Sequence, residues 1–140
     1  MDMSSINWLA VLVAGISAFV LGGIWYSPGL FGNAWMKENK LSLEEIKKGN
    51  KGKIFGLAFI ISLIMAANLA MFLVDPKEGC GPKIDISFGT IAGLLAGIWV
   101  FGFVAIHGLF EHKSLRLILI NGGYSLVALG LMGAIIGLWR

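Results

Sequence analysis

Four stretches of the chain, residues 3–36, 54–74, 86–110 and 117–139, contain no Asp, Glu, Lys or Arg and are dominated by apolar side chains and glycine. A helix rising 1.5 Å per residue needs about 20 apolar residues to cross a hydrocarbon core of about 30 Å. Each stretch reaches that length, and none is long enough for two passes. Lipid gives exposed backbone groups no partner, so such a stretch can span only as helix. The pattern predicts transmembrane helices at about 6–25, 54–74, 86–110 and 117–139. The expected fold is all-α: a polytopic integral membrane protein, one domain over residues 1–140, with four helices in a glycine-rich bundle. A secretory signal is the alternative for the first stretch. It would need a basic leader, whereas residues 1–5 offer only Asp2, so a permanent helix is expected.

The connections carry their own signals. In the first, residues 26–53, Ser42 and Glu45 have capping-box spacing, Leu41 and Ile46 occupy hydrophobic-staple positions, and Gly49 supplies a stop. These predict a short interfacial helix over 43–48. Asp75-Pro76 should end the second span, and Gly79-Cys80-Gly81-Pro82 a turn-rich loop. The third connection, 111–116, is so short that the last two spans must be antiparallel neighbours.

Charge then orients the pattern. Charged residues make up 14% of the chain, against about 25% in soluble domains. Their confinement to the connections excludes an ordinary soluble domain and argues against nucleic-acid binding. The first and third connections hold eight basic residues (Lys37, Lys40, Lys47, Lys48, Lys51, Lys53, Lys113 and Arg116), and the other side holds three (Lys77, Lys83 and Arg140). Basic loops stay in the cytoplasm, so loops 26–53 and 111–116 are expected inside and both termini outside a multi-pass cell-membrane protein. Trp8 and Trp139 then fall at the outer interface and Trp25 and Trp35 at the inner one, while Trp99 lies mid-span and reads as a packing residue. Lys47, Lys48, Lys51 and Lys53 read first as contacts to anionic headgroups, with docking of a cytoplasmic partner as the alternative. The single cysteine, Cys80, would lie outside, free or paired between chains, the free thiol being the favoured state.

Helices in lipid have little hydrophobic drive to associate and depend on close packing through small residues. The third span carries Gly89, Gly93 and Gly97 at steps of four, and the fourth carries Gly130, Gly133, Ala134 and Gly137. Gly89, Gly93, Gly97, Gly133 and Gly137 are the expected helix-contact positions, within one chain or between copies. A faint echo, Gly23-x5-Gly29-Leu30-Phe31 against Gly102-x5-Gly108-Leu109-Phe110, raises duplication, although chance supplies so short a match more readily.

Ionisable groups inside a membrane are default functional candidates, and these spans hold no carboxylate, Lys or Arg. That disfavours charge-coupled transport. The remaining candidate cluster is Trp25, Tyr26, Ser27 and Pro28 with His107, Asn121, Tyr124 and Ser125, all near the cytoplasmic end. Asn121, Tyr124 and Ser125 share a helix face through their three- and four-residue spacing. Cross-helix hydrogen bonding that fixes the bundle is the favoured reading, and a polar vestibule is the alternative. His107 and His112 are poorly spaced for one face and have only Glu111 nearby, so no metal site is expected. No nucleophile–base pair, phosphate loop or cofactor motif occurs, so neither catalysis nor a cofactor is expected.

Two segments, Trp25-Tyr26-Ser27-Pro28-x-Leu30-Phe31-Gly32-x2-Trp35 and Asn121-x-Gly123-Tyr124-x-Leu126-Val127-Ala128, resemble domain-of-unknown-function family 1761, small bacterial membrane proteins of about this length. The resemblance extends to the opening Asn7-Trp8-Leu9-Ala10-Val11 and the closing Met132-Gly133-Ala134-Ile135-x-Gly137-Leu138-Trp139. It implies a four-helix architecture in the bacterial inner membrane and no established activity. Family members often place a histidine after the tyrosine of the fourth helix, where this chain has Ser125. The expected role is a homo-oligomeric structural or accessory membrane component. The alternative is a small channel or facilitator with a polar path near His107, Asn121 and Tyr124. Expected partners are membrane lipids and further copies of the chain, with an unidentified membrane partner or small solute as the alternative.

Overall fold

The structure, a computed structural model, describes residues 5–74, 81 and 83–139. Six helices follow in order: α1 (Trp8–Trp25), α2 (Gly32–Glu38), α3 (Leu43–Lys48), α4 (Lys51–Phe72), α5 (Ile86–Phe110) and α6 (Leu115–Leu138). Among the described residues there is no strand. By length and composition, α1, α4, α5 and α6 can each cross a membrane. The turn expected at Asp75-Pro76, with Cys80, Lys77 and Arg140, lies outside the described residues.

Side-chain caps set where the long helices begin. Asn50 Oδ1 accepts from the Lys53 N–H at 3.0 Å, so α4 starts ahead of the charge-free stretch and carries Lys51 and Lys53 in its first turn. Ser114 Oγ accepts from the Leu117 N–H at 3.1 Å, which likewise draws Arg116 into the first turn of α6. Asn7 accepts from Leu9 and Ala10, delaying α1 to Trp8, and donates through Nδ2 to the Trp139 carbonyl at 3.0 Å. That bond fastens the start of α1 to the end of α6. In α3 both capping-box bonds form: the Ser42 N–H donates to Glu45 Oε2 at 2.7 Å, and the Glu45 N–H to Ser42 Oγ at 3.2 Å. The bond from the Ser42 backbone, then that from its hydroxyl, holds the Glu45 carboxyl below the usual carboxylate range.

The sequence pattern does not announce α2. Phe31 caps it without a side-chain bond, and its end is closed by backbone geometry. The Leu41 N–H reaches the Met36 carbonyl at 3.0 Å and the Lys40 N–H that of Lys37 at 3.1 Å, with Lys40 at φ 56°. The end of α5 repeats this arrangement. The Lys113 N–H reaches Gly108 at 2.8 Å and the His112 N–H reaches Leu109 at 3.1 Å, with His112 at φ 55°. Both are Schellman closures, normally occupied by glycine at the left-handed position. A residue with a Cβ there costs about 1 kcal/mol. His112→Gly should therefore raise the thermal midpoint in detergent, by up to about 1 kcal/mol of stability. A midpoint that falls would show that the imidazole does more than occupy the cap.

α6 is the central helix. It packs along α5 on one side and α1 on another, with further contacts to α2 and α4, while α4 lies mainly on α1. Alanines let the axes approach: Ala14, Ala18, Ala66 and Ala70 are almost completely buried, together with Leu73, Met132 and Ile136. Gly15 sits on Leu63, where an added Cβ would stand 2.6 Å from Leu63 Cδ2. Phe19 meets Phe59 and Phe55 edge-on at 5.6 and 6.2 Å. The buried positions of α5 are all glycine: Gly89, Gly93, Gly97 and Gly108. Gly89 faces the Gly133 backbone, Gly93 faces Leu129 and Gly130, Gly97 faces Leu126, and Gly137 faces Asp85. These pairs run antiparallel, as do those of α1 with α4 and with α6. The lysine-bearing connections 26–50 and 111–114 consequently share one end of the molecule.

Two expectations change. Trp99 does not pack within the chain: it lies opposite the glycine stripe and is 75% exposed. The two echo segments also differ, since Gly29, Leu30 and Phe31 lie in a turn and Gly108, Leu109 and Phe110 in the last turn of α5.

Candidate functional site

At the lysine-bearing end the chain leaves α1 and folds back on itself. The Tyr26 N–H still bonds the Gly22 carbonyl at 3.0 Å, but Pro28 has no N–H with which to continue a ladder. The Ser27 carbonyl instead accepts from Leu30 at 3.1 Å and Gly32 at 2.9 Å, while the Phe31 N–H returns to the Trp25 carbonyl at 3.1 Å. Pro28 occupies the second position of the resulting β-turn, which suits its fixed φ. Asn33 Nδ2 braces the turn from α2 by donating to the Pro28 carbonyl at 3.2 Å.

This fold-back gathers the aromatic residues. Trp25 lies against Phe31 with ring centres 4.7 Å apart, and Tyr26 meets Trp35 at 6.0 Å. Tyr124 from α6 closes the group, 5.5 Å from Tyr26 and 6.5 Å from Trp25. Gly22 makes room for it: an added Cβ would stand 3.3 Å from the Tyr124 hydroxyl.

Three side-chain bonds join α1 and its turn to α6. Tyr26 donates through its hydroxyl to Asn121 Oδ1 at 3.0 Å, and Tyr124 to the Ala18 carbonyl at 3.1 Å. Trp25 Nε1 donates to the Ile120 carbonyl at 3.0 Å. Ser125 turns back along its own helix to the Asn121 carbonyl at 3.2 Å. The donors are all half-buried, where such bonds hold packed elements in register.

The structure thus brings Trp25, Tyr26, Asn121, Tyr124 and Ser125 together. Ser27 and Pro28 shape the turn through their backbone, with the Ser27 side chain half-buried and Pro28 exposed. His107 stands apart, exposed on α5. Its position follows from the glycine row: each step of four residues advances a helix face by about 40°. By the end of α5 the contact has moved round to Gly108, and His107 faces away. Phe31 and Trp35 also belong to the cluster; sequence reading put Trp35 at the inner interface and both in the same motif, but counted neither among the candidate site residues. Lys47, Lys48, Lys51 and Lys53 are exposed around the junction of α3 and α4.

Beside Trp25 and Phe31 an open cleft of about 330 Å³ continues along Leu119, Ile120 and Gly123, with Arg116 at its rim. A second cleft of about 300 Å³, lined by Phe101, Ala105, Leu109, Leu115, Ile118 and Leu119, is wholly apolar. Among the described residues no three His, Cys, Asp or Glu side chains come together. The arrangement offers donors, acceptors and aromatic faces.

A family model described as protein of unknown function (DUF1761) matches residues 9–137, nearly the whole chain. The chain belongs to the DUF1761 family. No curated protein and no solved structure matches it. In this DUF1761 chain the matched region begins just after the Asn7 cap and ends beside the Trp139 carbonyl that Asn7 holds. It therefore takes in all four long helices and the whole aromatic fold-back.

Proposed function

We propose that this chain is a four-pass membrane protein with a structural or accessory role, acting as a homo-oligomer or with membrane partners. The observation that carries the reading is the closed state of the polar cluster. Tyr26, Tyr124 and Trp25 each spend their donor on α6 or α1, and Ser125 spends its own within α6. Among the described residues no polar or charged side chain is fully buried, so the packed core itself is apolar. The outward sides of the long helices carry Ile, Leu, Phe and Trp, as surfaces in contact with lipid do.

The test is substitution inside the cluster. Asn121→Leu should cost about 1–3 kcal/mol by stranding the Tyr26 hydroxyl, and Tyr124→Phe about 1 kcal/mol. Both should lower the thermal midpoint in detergent and leave ion and solute fluxes into proteoliposomes unchanged. Fluxes that depend on either side chain would favour the channel reading and overturn this one.

The orientation is part of the proposal. Eight basic residues on the first and third connections against three elsewhere support an orientation with those connections in the cytoplasm and both termini outside. Lys47, Lys48, Lys51 and Lys53 then face anionic headgroups at the inner surface. A membrane-impermeant maleimide should label Cys80 on intact cells. Labelling only after the cells are opened would reverse the orientation.

A further inference from the structure

We infer that each chain holds one anionic, two-chain phospholipid at the lysine-bearing end of α6, its phosphate on Arg116 and its acyl chains in the two clefts that flank Leu119. The inference rests on the four-pass membrane reading and adds a ligand site to it.

The two clefts form one arrangement. Leu119 lines both and stands between them, 61% exposed. One cleft runs along α6 from Arg116 past Ile120 to Gly123, beside Trp25 and Phe31. The other lies between α6 and α5, from Leu115 and Leu109 to Phe101. Leu115 and Arg116 are neighbours in the first turn of α6, so both clefts start at the same level. At 1.5 Å per residue, Arg116 to Gly123 covers about 10 Å of helix and Leu109 to Phe101 about 12 Å. Two apolar grooves of similar length, parted by one side chain and leaving from one end, fit a ligand with two chains on one head.

The fold sets the walls. Trp25 Nε1 is tied to the Ile120 carbonyl at 3.0 Å and its ring lies 4.7 Å from that of Phe31, so the indole is held as one side of the first groove. Gly123 leaves the floor open, since an added Cβ would stand 3.4 Å from Trp25 Cζ2. In the second groove Phe101, Ala105 and Leu109 follow at steps of four, and the small middle residue makes the hollow.

Apolar walls alone would accept any chain, from a lipid or from a neighbouring helix. Charge makes the choice. Among the described residues Arg116 is the one charged side chain lining either cleft; it is exposed, and no carboxylate pairs with it. Glu111, the nearest acid in sequence, caps the end of α5 and lines neither cleft. A guanidinium presents a planar fork of donors that matches phosphate oxygens. Depth agrees with a headgroup. Trp25 bonds α6 one turn further in than Arg116, so the cation lies toward the charged connection and the indole toward the apolar span, the order found at a membrane interface. A second copy would bring spans without a carboxylate, whereas an anionic headgroup answers the guanidinium while its chains fill the grooves.

The experiment follows binding of dioleoylphosphatidylglycerol to the full chain in detergent by native mass spectrometry, with dioleoylphosphatidylcholine for comparison. One phosphatidylglycerol per chain should bind about tenfold more tightly than phosphatidylcholine. Arg116→Gln should remove that preference and Arg116→Lys keep most of it. Lys113→Gln takes the same charge from the same connection but lies outside the clefts, and should leave the preference unchanged. Ala105→Leu should weaken the two-chain lipid and spare single-chain lysophosphatidylglycerol, which needs only the first groove. Phosphatidylglycerol should also raise the thermal midpoint, and soluble glycerol phosphate should not. A preference that survives Arg116→Gln, or that Lys113→Gln removes equally, would overturn the site and leave general attraction to a basic surface. A midpoint raised as much by glycerol phosphate would make it a site for free phosphate instead. Unchanged binding of the two-chain lipid to Ala105→Leu would take the second cleft, and with it the two-chain ligand, out of the site. The four-pass reading fails separately, by a parent chain that alkaline carbonate washes from membranes.

Discussion

Replacing Gly93 by leucine is expected to detach α5 from α6 and to abolish the cooperative thermal transition of the bundle. A Cβ on Gly93 would fall on the Leu129 carbonyl oxygen, 2.9 Å from its carbon and 3.1 Å from Gly130 Cα. All three are backbone atoms of a helix, so none can rotate aside as a side chain would. Overpacking against side chains typically costs about 1–3 kcal/mol, and here the whole of α5 must move outward instead. That movement also breaks the contacts of Gly89 with Gly133 and of Gly97 with Leu126, since the same helix axis carries them. No large side chain of α5 is fully buried elsewhere to hold the helix. The loss should therefore exceed about 3 kcal/mol, in the range reserved for disruption of a core. Gly133→Leu should behave alike, its Cβ falling on the Gly89 carbonyl, and the two should not add, because the first already separates the helices. Gly102 gives the control: nothing lies within 4 Å of its added Cβ, so Gly102→Ala should stay within about 0.5 kcal/mol of the parent. Differential scanning fluorimetry in detergent, with limited proteolysis of the 111–114 connection, reads all three. A Gly93→Leu protein as stable as Gly102→Ala would mean that this helix contact does not hold the bundle.

The long helices could be read from the sequence because their apolar, charge-free runs are long enough to cross a membrane, where the backbone has little choice. A charge-free run of sufficient length has one hydrogen-bonded solution, and Gly89, Gly93 and Gly97 mark the side on which such a helix can be approached. In the charged connections the rules loosen and less was legible. Ser42 and Glu45 announced α3 through paired cap chemistry, whereas α2 begins at Phe31 without a side-chain cap and ends at Lys40 in a conformation that glycine normally marks. His112 hides the end of α5 in the same way. Residue spacing also fails over distance. His107 lies five turns beyond Gly89 and would share its face on a straight contact, yet a row stepping by four rotates away from it. Within the candidate cluster, Asn121 and Tyr124 were legible because they sit one turn apart on one helix. Tyr26 was placed beside them by depth, with hydrogen bonding across helices as the favoured reading, but the pairing itself, the Tyr26 hydroxyl on Asn121 and the Tyr124 hydroxyl on the Ala18 carbonyl, could be read only from the structure.

That fold-back makes Gly32 the most sensitive position outside the glycine row. Gly32 is buried where the chain turns back across the end of α1, and an added Cβ would coincide with the Tyr26 carbonyl oxygen and stand 2.8 Å from both C and O of Ser27. The Ser27 oxygen is the same atom that accepts from Leu30 and Gly32, so the clash acts on the acceptor that closes the turn. With Gly32→Ala the turn must open. Phe31 then leaves Trp25, Trp35 leaves Tyr26, and Tyr26 swings its hydroxyl away from Asn121. Two aromatic contacts worth about 0.5–1.5 kcal/mol each and one hydrogen bond of about 1 kcal/mol are lost together. A fall of about 3 kcal/mol is expected, with a change in near-ultraviolet circular dichroism as the rings lose their fixed packing. Gly29→Ala, whose added Cβ would meet only Ser27 Oγ at 3.8 Å, should leave both signals close to the parent. The decisive measurement is a cycle with Tyr26→Phe. Alone, that change removes the bond to Asn121; in the Gly32→Ala background it should cost almost nothing, because the bond is already broken. Full additivity of the two would mean that the turn tolerates the methyl group and that Gly32 does not hold the aromatic cluster together.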